Sequence, residues 1–171
     1  MSTPLDRAQK LVNRLRTEFK TIILGTASPD GEPDASPVAA VLGADGTFYI
    51  YVSGLAVHTR HLVANRRASV LLLEEEIAVA QPFARHRLTF FCAASIVPSD
   101  GAPYVAIVAA LRGKFGAPVD LLTSLPDFQL IGLAPQRGRL VVGFGEAYEV
   151  DPHDWSKLTP VGRARGASAA R

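Results

Sequence analysis

Residues 48–75, FYIYVSGLAVHTRHLVANRRASVLLLEE, contain two strand patterns separated by a short helical one. Residues 48–52 and 68–73 are runs of β-branched, aromatic and aliphatic side chains, which favour strands. Ser53-Gly54 interrupts the first run, and the intervening segment ends at Asn65. The stretch therefore predicts a strand, a short helix and a second strand in immediate succession.

Further strands flank this stretch on both sides. Asp30-Gly31 and Asp45-Gly46 lie between apolar runs, a pattern typical of β-hairpins. A helix is predicted near the start, where Ser2 or Thr3 would cap it. The other predicted helices cover residues 55–65, 103–115 and 119–125. The predicted strands cover residues 21–27, 35–42, 48–52, 68–73, 87–97 and 128–134, followed by a turn at 135–138 and a last strand at 139–150. The fold class is mainly β, a barrel of about six antiparallel strands with peripheral helices.

Length and cysteine usage narrow the class of protein. The chain has 171 residues, which fits a single domain, here residues 1–160. A single cysteine, Cys92, excludes an internal disulfide and a cysteine-based zinc site. We expect a cytoplasmic protein without a membrane segment, because no apolar run approaches ~20 residues and no secretory leader pattern opens the chain.

The net charge of +2 is unevenly distributed along the chain. Residues 161–171 contain three arginines and no acids, so the rest of the chain is slightly acidic. We expect these residues to form a flexible basic tail. The positive balance is therefore no argument for a nucleic-acid partner.

The junction after the strand at 48–52 predicts an anion site. Ser53, Thr59 and Arg60 lie where a strand leads into a helix, and free backbone N–H groups and the helix dipole favour an anion there. Hydroxyl groups and a guanidinium group suit a phosphate monoester. The alternative is that Ser53 or Thr59 caps the helix while the arginines are solvated.

A second basic group lies at Arg85-His86-Arg87. Alternation along a strand places the two arginines on one side, where they repel unless an acid or a bound anion lies between them. The acidic run 74–76 is a possible partner within the chain, so both interpretations stay open.

Other catalytic patterns are missing from the sequence. His58 and His61 can share a helix face, but no nearby acid or third histidine completes a metal site. Cys92 is predicted to be a buried, inert thiol, and Gly143-Phe144-Gly145 a bend within the last strand. No general acid or base is assigned, so the catalytic residues are unknown.

The order of elements, together with three stretches, resembles the pyridoxamine 5′-phosphate oxidase-related FMN-binding split-barrel proteins, and most closely their haem-utilisation branch. The stretches are residues 48–75, ARHRLTFFCAASIV and PDFQLIGLAPQRGRLVVGFGEAYEV, which together span most of residues 20–150. The resemblance implies a homodimer with FMN in two clefts between the protomers. In that arrangement Ser36 lines the flavin ring. Tyr51, Val52 and Ser53 follow the ribityl chain, and His58, Thr59 and Arg60 hold the phosphate. Gln81, Arg85 and Arg87 reach the flavin from the second subunit.

The resemblance implies an FMN-dependent oxidoreductase acting on an unidentified small substrate. Lys157 stands where pyridoxamine phosphate oxidases have an arginine that grips the substrate phosphate, which argues against vitamin B6 oxidation. The alternatives are a haem-binding or haem-degrading protein of the haem-utilisation branch, and a non-catalytic FMN-binding module. Some relatives bind F420 instead of FMN.

Overall fold

Six antiparallel strands close into a barrel in the computed structural model, which describes residues 2–75 and 81–162. The strands are β1 Thr21–Ala27, β2 Pro33–Leu42, β3 Phe48–Ser53, β4 Arg67–Leu73, β5 Arg87–Ile96, β6 Phe128–Val141, β7 Ala147–Val150 and β8 Leu158–Pro160. The order in the barrel is β3-β2-β1-β4-β5-β6, and pairing of β3 with β6 closes it. β7 and β8 extend the sheet beyond β6. The predicted fold class is confirmed.

The helices are α1 Pro4–Glu18, α2 Val57–Asn65, α3 Ala102–Phe115 and α4 Pro118–Ser124. Thr3 caps α1 as predicted, since its hydroxyl accepts from the Asp6 N–H while the Asp6 carboxylate accepts from the Thr3 N–H. Gly31 and Gly46 have φ values of 90° and 80°, the left-handed geometry that Asp-Gly hairpin turns need.

The barrel interior is filled by every second residue of each strand. Phe48 and Phe90 are fully buried there. The Trp155 ring stacks on Phe90 with centroids 4.5 Å apart and lies 5.7 Å from the ring of Phe48. This aromatic cluster ties the segment before β8 to the core.

The helices cover different parts of the barrel. α1 contributes Leu11, Val12 and Leu15 to the core near the end of β4, whereas α2 precedes β4 and inserts Leu62 at the opposite end. α3 and α4 pack on the outside, where Leu111 and Val119 form a second apolar cluster with residues of β2, β3 and β6. α1 and α2 therefore lie at opposite ends of β4.

The last strands differ from the prediction. Residues 135–138 do not form a turn: β6 runs continuously from Phe128 to Val141, and a register shift opposite Phe91/Cys92 accommodates Pro135. Gly143 and Gly145 lie in a turn between β6 and β7, with φ values of 96° and 70°, and not in a strand bend. β8 was not predicted from the sequence.

Two further expectations concern a membrane segment and the basic tail. No helix among the described residues is long and apolar enough to cross a membrane. The predicted basic tail lies outside the described residues from position 163 onward.

Candidate functional site

The first turn of α2 presents backbone N–H groups that have no acceptor in the described part of the chain. The chain leaves β3 at Ser53 and enters α2 at Val57, with Ala56 in an extended conformation at the N-cap position. Ala56 provides no side-chain cap, and the first helical hydrogen bond runs from the Arg60 N–H to the Ala56 carbonyl oxygen at 3.3 Å. The amides of residues 57–59 are consequently free to face an anion. The alternative interpretation, in which Ser53 or Thr59 caps this helix, is wrong.

Two imidazoles of α2 are held by hydroxyl groups of the barrel. His58 Nδ1 lies 3.0 Å from Ser36 Oγ on β2, and His61 Nδ1 lies 3.1 Å from Thr26 Oγ1 on β1. In each ring Nδ1 is engaged, which leaves Nε2 for another partner. Among the described residues, no three His, Cys, Asp or Glu side chains are grouped to hold a metal ion.

The electrostatic surroundings favour a neutral His58. Burial lowers its pKa, and the neighbouring His61 lowers it further, whereas Asp34 raises it by a smaller amount than the burial lowers it. A neutral imidazole with a hydroxyl on Nδ1 is the form that binds a metal ion through Nε2.

Thr59 brings a buried polar atom without a partner to the same turn. Its side chain is 1% exposed, and Oγ1 has no hydrogen-bond partner among the described residues. A buried hydroxyl is normally satisfied, so an unsatisfied one next to free amides fits a site for a polar ligand atom. Arg60 donates from Nη1 to the Leu55 carbonyl oxygen at 2.7 Å, which keeps its guanidinium beside this turn.

The β3 residues of the predicted site point in different directions. Tyr51 lies under α3, where its hydroxyl is 3.1 Å from that of Tyr104; burial and this contact raise the pKa of Tyr51. Val52 is buried in the barrel. Ser53 Oγ donates to Asp127 Oδ2 and accepts from the Leu55 N–H. The two hydroxyls that the resemblance assigns to a ribityl chain are thus already engaged.

The remaining predicted residues lie at the other end of β4. Gln81 is exposed just before a short 3-10 turn, Pro82–Ala84. Arg85 Nε donates to the Glu74 carbonyl oxygen at 2.6 Å, and Arg87 Nη1 donates to the Arg85 carbonyl oxygen at 3.2 Å. β4 spans about 20 Å between this end and α2, since a strand rises roughly 3.3 Å per residue. One protomer therefore does not bring Gln81, Arg85 and Arg87 to the α2 turn.

Glu74, the first residue of the acidic run after β4, pairs with His86 of the basic triplet. Glu74 Oε2 lies 2.8 Å from His86 Nδ1, and Glu74 Oε1 accepts from Arg14 of α1. The question left open by the sequence is answered in part, because Glu74 holds Arg85 through its backbone carbonyl and His86 through its carboxylate.

Sequence reasoning missed Thr26 and Asp127, and it gave His61 no role. Thr26 is an inward residue of β1 whose polarity within an apolar strand was the available indication. Asp127 precedes β6 and carried no motif. Cys92 is buried as predicted, and burial raises its pKa to about 12, so the thiol stays protonated.

The residues around α2 fit an anionic cofactor with either of two head groups. Free amides, the Thr59 hydroxyl and the Arg60 guanidinium suit a phosphate, as in FMN, and equally a carboxylate, as in a haem propionate. His58 adds a neutral imidazole, which a haem iron uses and a flavin phosphate does not require.

Comparison with known proteins bears on the choice between FMN and haem. The family model described as pyridoxamine 5′-phosphate oxidase matches residues 8–142. The chain is 36% identical over 148 residues to the haem oxygenase HutZ of Vibrio cholerae, covering 86% of this chain and 84% of HutZ.

Solved structures agree with this relationship. A crystal structure of HutZ, described as the haem storage protein of V. cholerae, matches with a TM-score of 0.72 and 35% identity over 77% of this chain and 92% of that one. A haem-binding protein from Mycobacterium smegmatis matches with a TM-score of 0.76 and 26% identity, covering 87% of this chain and 60% of that longer one.

Proposed function

The chain belongs to the pyridoxamine 5′-phosphate oxidase family, and we propose that within this family it binds haem. Support comes from relatives named for haem that are 26–36% identical to it, including one of which this chain spans 84%. Those names describe both a storage protein and an oxygenase, and haem binding is the property that the two have in common. The flavin oxidoreductase function is the second candidate.

The observation that carries the proposal is the state of His58. Ser36 fixes its ring through Nδ1, burial lowers its pKa, and Nε2 is left for a ligand. The ring nitrogen of a metal-binding histidine that does not bind the metal usually donates to a carboxylate, a backbone carbonyl or a water, which fixes the tautomer and the ring orientation. The Ser36 hydroxyl would take that place for His58. We propose His58 Nε2 as the ligand to the haem iron.

The start of α2 would hold a propionate group. The free amides of residues 57–59 and the Thr59 hydroxyl donate to a carboxylate, and the helix dipole adds a favourable field. Bound haem would supply iron-centred redox and ligand-binding chemistry. The chain's own part is to orient the ring, neutralise the propionate and keep His58 unprotonated.

FMN is the second candidate because the same turn suits a phosphate. Thr59 Oγ1 is buried and unpartnered among the described residues, and a phosphate oxygen would satisfy it. In this alternative His58 donates to the phosphate and does not bind a metal.

We also propose a homodimer with cofactor clefts between the protomers. Cross-strand pairing places Ala35, Gly25, Ser69 and Phe91 in one row on the outer face of β2, β1, β4 and β5. Ala35 is exposed, and the Phe91 side chain is 45% exposed beside the Arg137 guanidinium, which lies 4.6 Å from its ring centroid. This face of mostly small side chains is therefore open to a second copy. A second copy would also bring its Gln81, Arg85 and Arg87 within reach of α2.

Histidine variants test the haem proposal. His58→Ala should weaken ferric haem binding by at least about tenfold and shift the Soret band, because the iron loses its nitrogen ligand. His61→Ala is the matched control, since it removes an imidazole one turn away that also contacts a barrel hydroxyl. The measurement is a visible-absorption titration with ferric haem.

Two results would contradict the assignment. Equal affinity and an unshifted Soret band in His58→Ala would place the iron ligand elsewhere. Equal losses in both variants, with unchanged melting temperatures, would show that neither ring acts as a specific ligand.

A further inference from the structure

A cavity lies at the last turn of α2, whereas His58 lies in its first turn, and it is not part of the site described above. It has a volume of about 290 Å³ and lies between the last turn of α2, the end of β5 and β6. Its lining is Leu62, Val63, Arg66, Ala94, Ser95, Ile96 and Ile131. The volume is close to the lower end of the range of small-molecule sites. The lining residues are apolar except for Arg66 and Ser95, which are both exposed.

Arg66 adopts a backbone conformation that glycine normally supplies. It has φ 54° and ψ 25°, and it is the only residue other than glycine with a positive φ in the described part of the chain. The position ends α2, where its N–H donates to the Leu62 carbonyl oxygen at 3.0 Å. Glycine is favoured at such a helix end because any side chain is strained there. An arginine in this place keeps a charge at a conformational cost.

The Arg66 guanidinium has no protein partner in the described residues. Its backbone carbonyl accepts from the Ala94 N–H at 2.9 Å, but no described carboxylate or carbonyl accepts from its side chain. No Asp or Glu lines the cavity. The lining residues therefore combine an arginine without a partner among the described residues with apolar surface, and the hydroxyl of exposed Ser95 is a second donor at the rim.

We propose that this cavity binds a small amphiphilic carboxylate. The apolar part would pack on Leu62, Val63 and Ile96, and the carboxylate would pair with Arg66 and accept from Ser95. A guanidinium group binds a carboxylate through two parallel N–H donors, which accounts for an arginine at a strained position. This site is separate from the haem site and does not depend on it.

Octanoate and 1-octanol, titrated by calorimetry, test the proposal because they share a chain and differ in the head group. Wild type should bind octanoate at least about tenfold more tightly than 1-octanol, since the alcohol lacks the charge-assisted pair. Arg66→Gly should reduce octanoate affinity to that for 1-octanol. Its melting temperature should not fall, because glycine relieves the strained backbone.

Arg67→Ala is the matched control. It removes the neighbouring exposed charge on β4, which does not line the cavity, and it should leave octanoate binding unchanged. Unchanged octanoate affinity in Arg66→Gly would overturn the proposal. So would an equal loss in Arg67→Ala, or an absence of octanoate binding to the wild-type protein.

Discussion

Glu74 is the residue at which three elements meet. Its side chain, only 12% exposed at the end of β4, accepts from Arg14 of α1 and lies 2.8 Å from His86 Nδ1, just before β5. Burial raises the pKa of this carboxyl, but the hydrogen bonds and charges of Arg14 and His86 outweigh burial and hold it below its ordinary value. The ionised form is therefore favoured in the folded protein.

A lowered pKa implies a defined pH dependence of stability. The stabilisation is present at pH values above the unfolded pKa of Glu74 and is lost as the pH falls through the folded pKa. Glu74→Gln should lower the free energy of unfolding by about 1.5 kcal/mol at pH 7, and the difference from wild type should shrink in acid. Urea unfolding at several pH values measures this difference.

The control is the neighbouring carboxyl. Glu75 is exposed, and Glu75→Gln should change stability little at any of these pH values. A difference between wild type and Glu74→Gln that stays constant down to acid pH would contradict the role of the ionised carboxylate.

At the residue scale, the sequence pointed to the residues with distinctive chemistry. It did not predict which other side chains they contact. The junction with Ser53, Thr59 and Arg60 was predicted as an anion site. The structure places free amides and the Thr59 hydroxyl, without a partner among the described residues, at this junction, whereas Ser53 bonds to Asp127. Contacts such as His58 with Ser36 were not predictable, because they join residues on separate elements whose packing depends on the whole barrel.

At the element scale, β6 shows where local patterns mislead. Pro-Gln-Arg-Gly at 135–138 is a turn pattern, yet these residues continue a strand because β5 pairs with them on one side and β7 pairs with Gly138 on the other. Tertiary pairing overrides the local turn preference, and a register shift at Phe91/Cys92 accommodates the proline that has no N–H to donate.

Gly138 is required by close packing and not by a turn. A Cβ atom there would lie 2.6 Å from Phe90 Cε1 and 2.9 Å from the Val150 carbonyl oxygen. Gly138→Ala should therefore destabilise the protein by about 1–3 kcal/mol through overpacking. Thermal unfolding monitored by circular dichroism measures the loss.

Gly113 provides the comparison for this prediction. It lies within α3, a Cβ there meets nothing within 4 Å, and alanine is the better helix former. Gly113→Ala should be neutral or stabilising. A Gly138→Ala variant as stable as wild type would contradict the close approach of β6 to Phe90.

At the scale of the whole molecule, strand order separates the predicted cofactor contacts. The α2 turn and the Gln81–Arg87 segment lie at opposite ends of β4, so the resemblance-based site needs a second copy to become complete. The barrel itself could be predicted, because the hairpin turns and alternating apolar residues are local features. The homodimer was expected from the family resemblance alone and stays a prediction, because the exposed small residues of β2 are indistinguishable in sequence from ordinary strand positions.

A competition between the two cofactors tests the haem assignment most directly. The protein is mixed with equimolar ferric haem and FMN and passed through a gel-filtration column with light scattering and full absorption spectra. We predict a Soret band in a protein peak with twice the 18.2 kDa mass of one chain, and FMN eluting free. Flavin bands in the protein peak without a Soret band, or haem that elutes apart from the protein, would contradict the account.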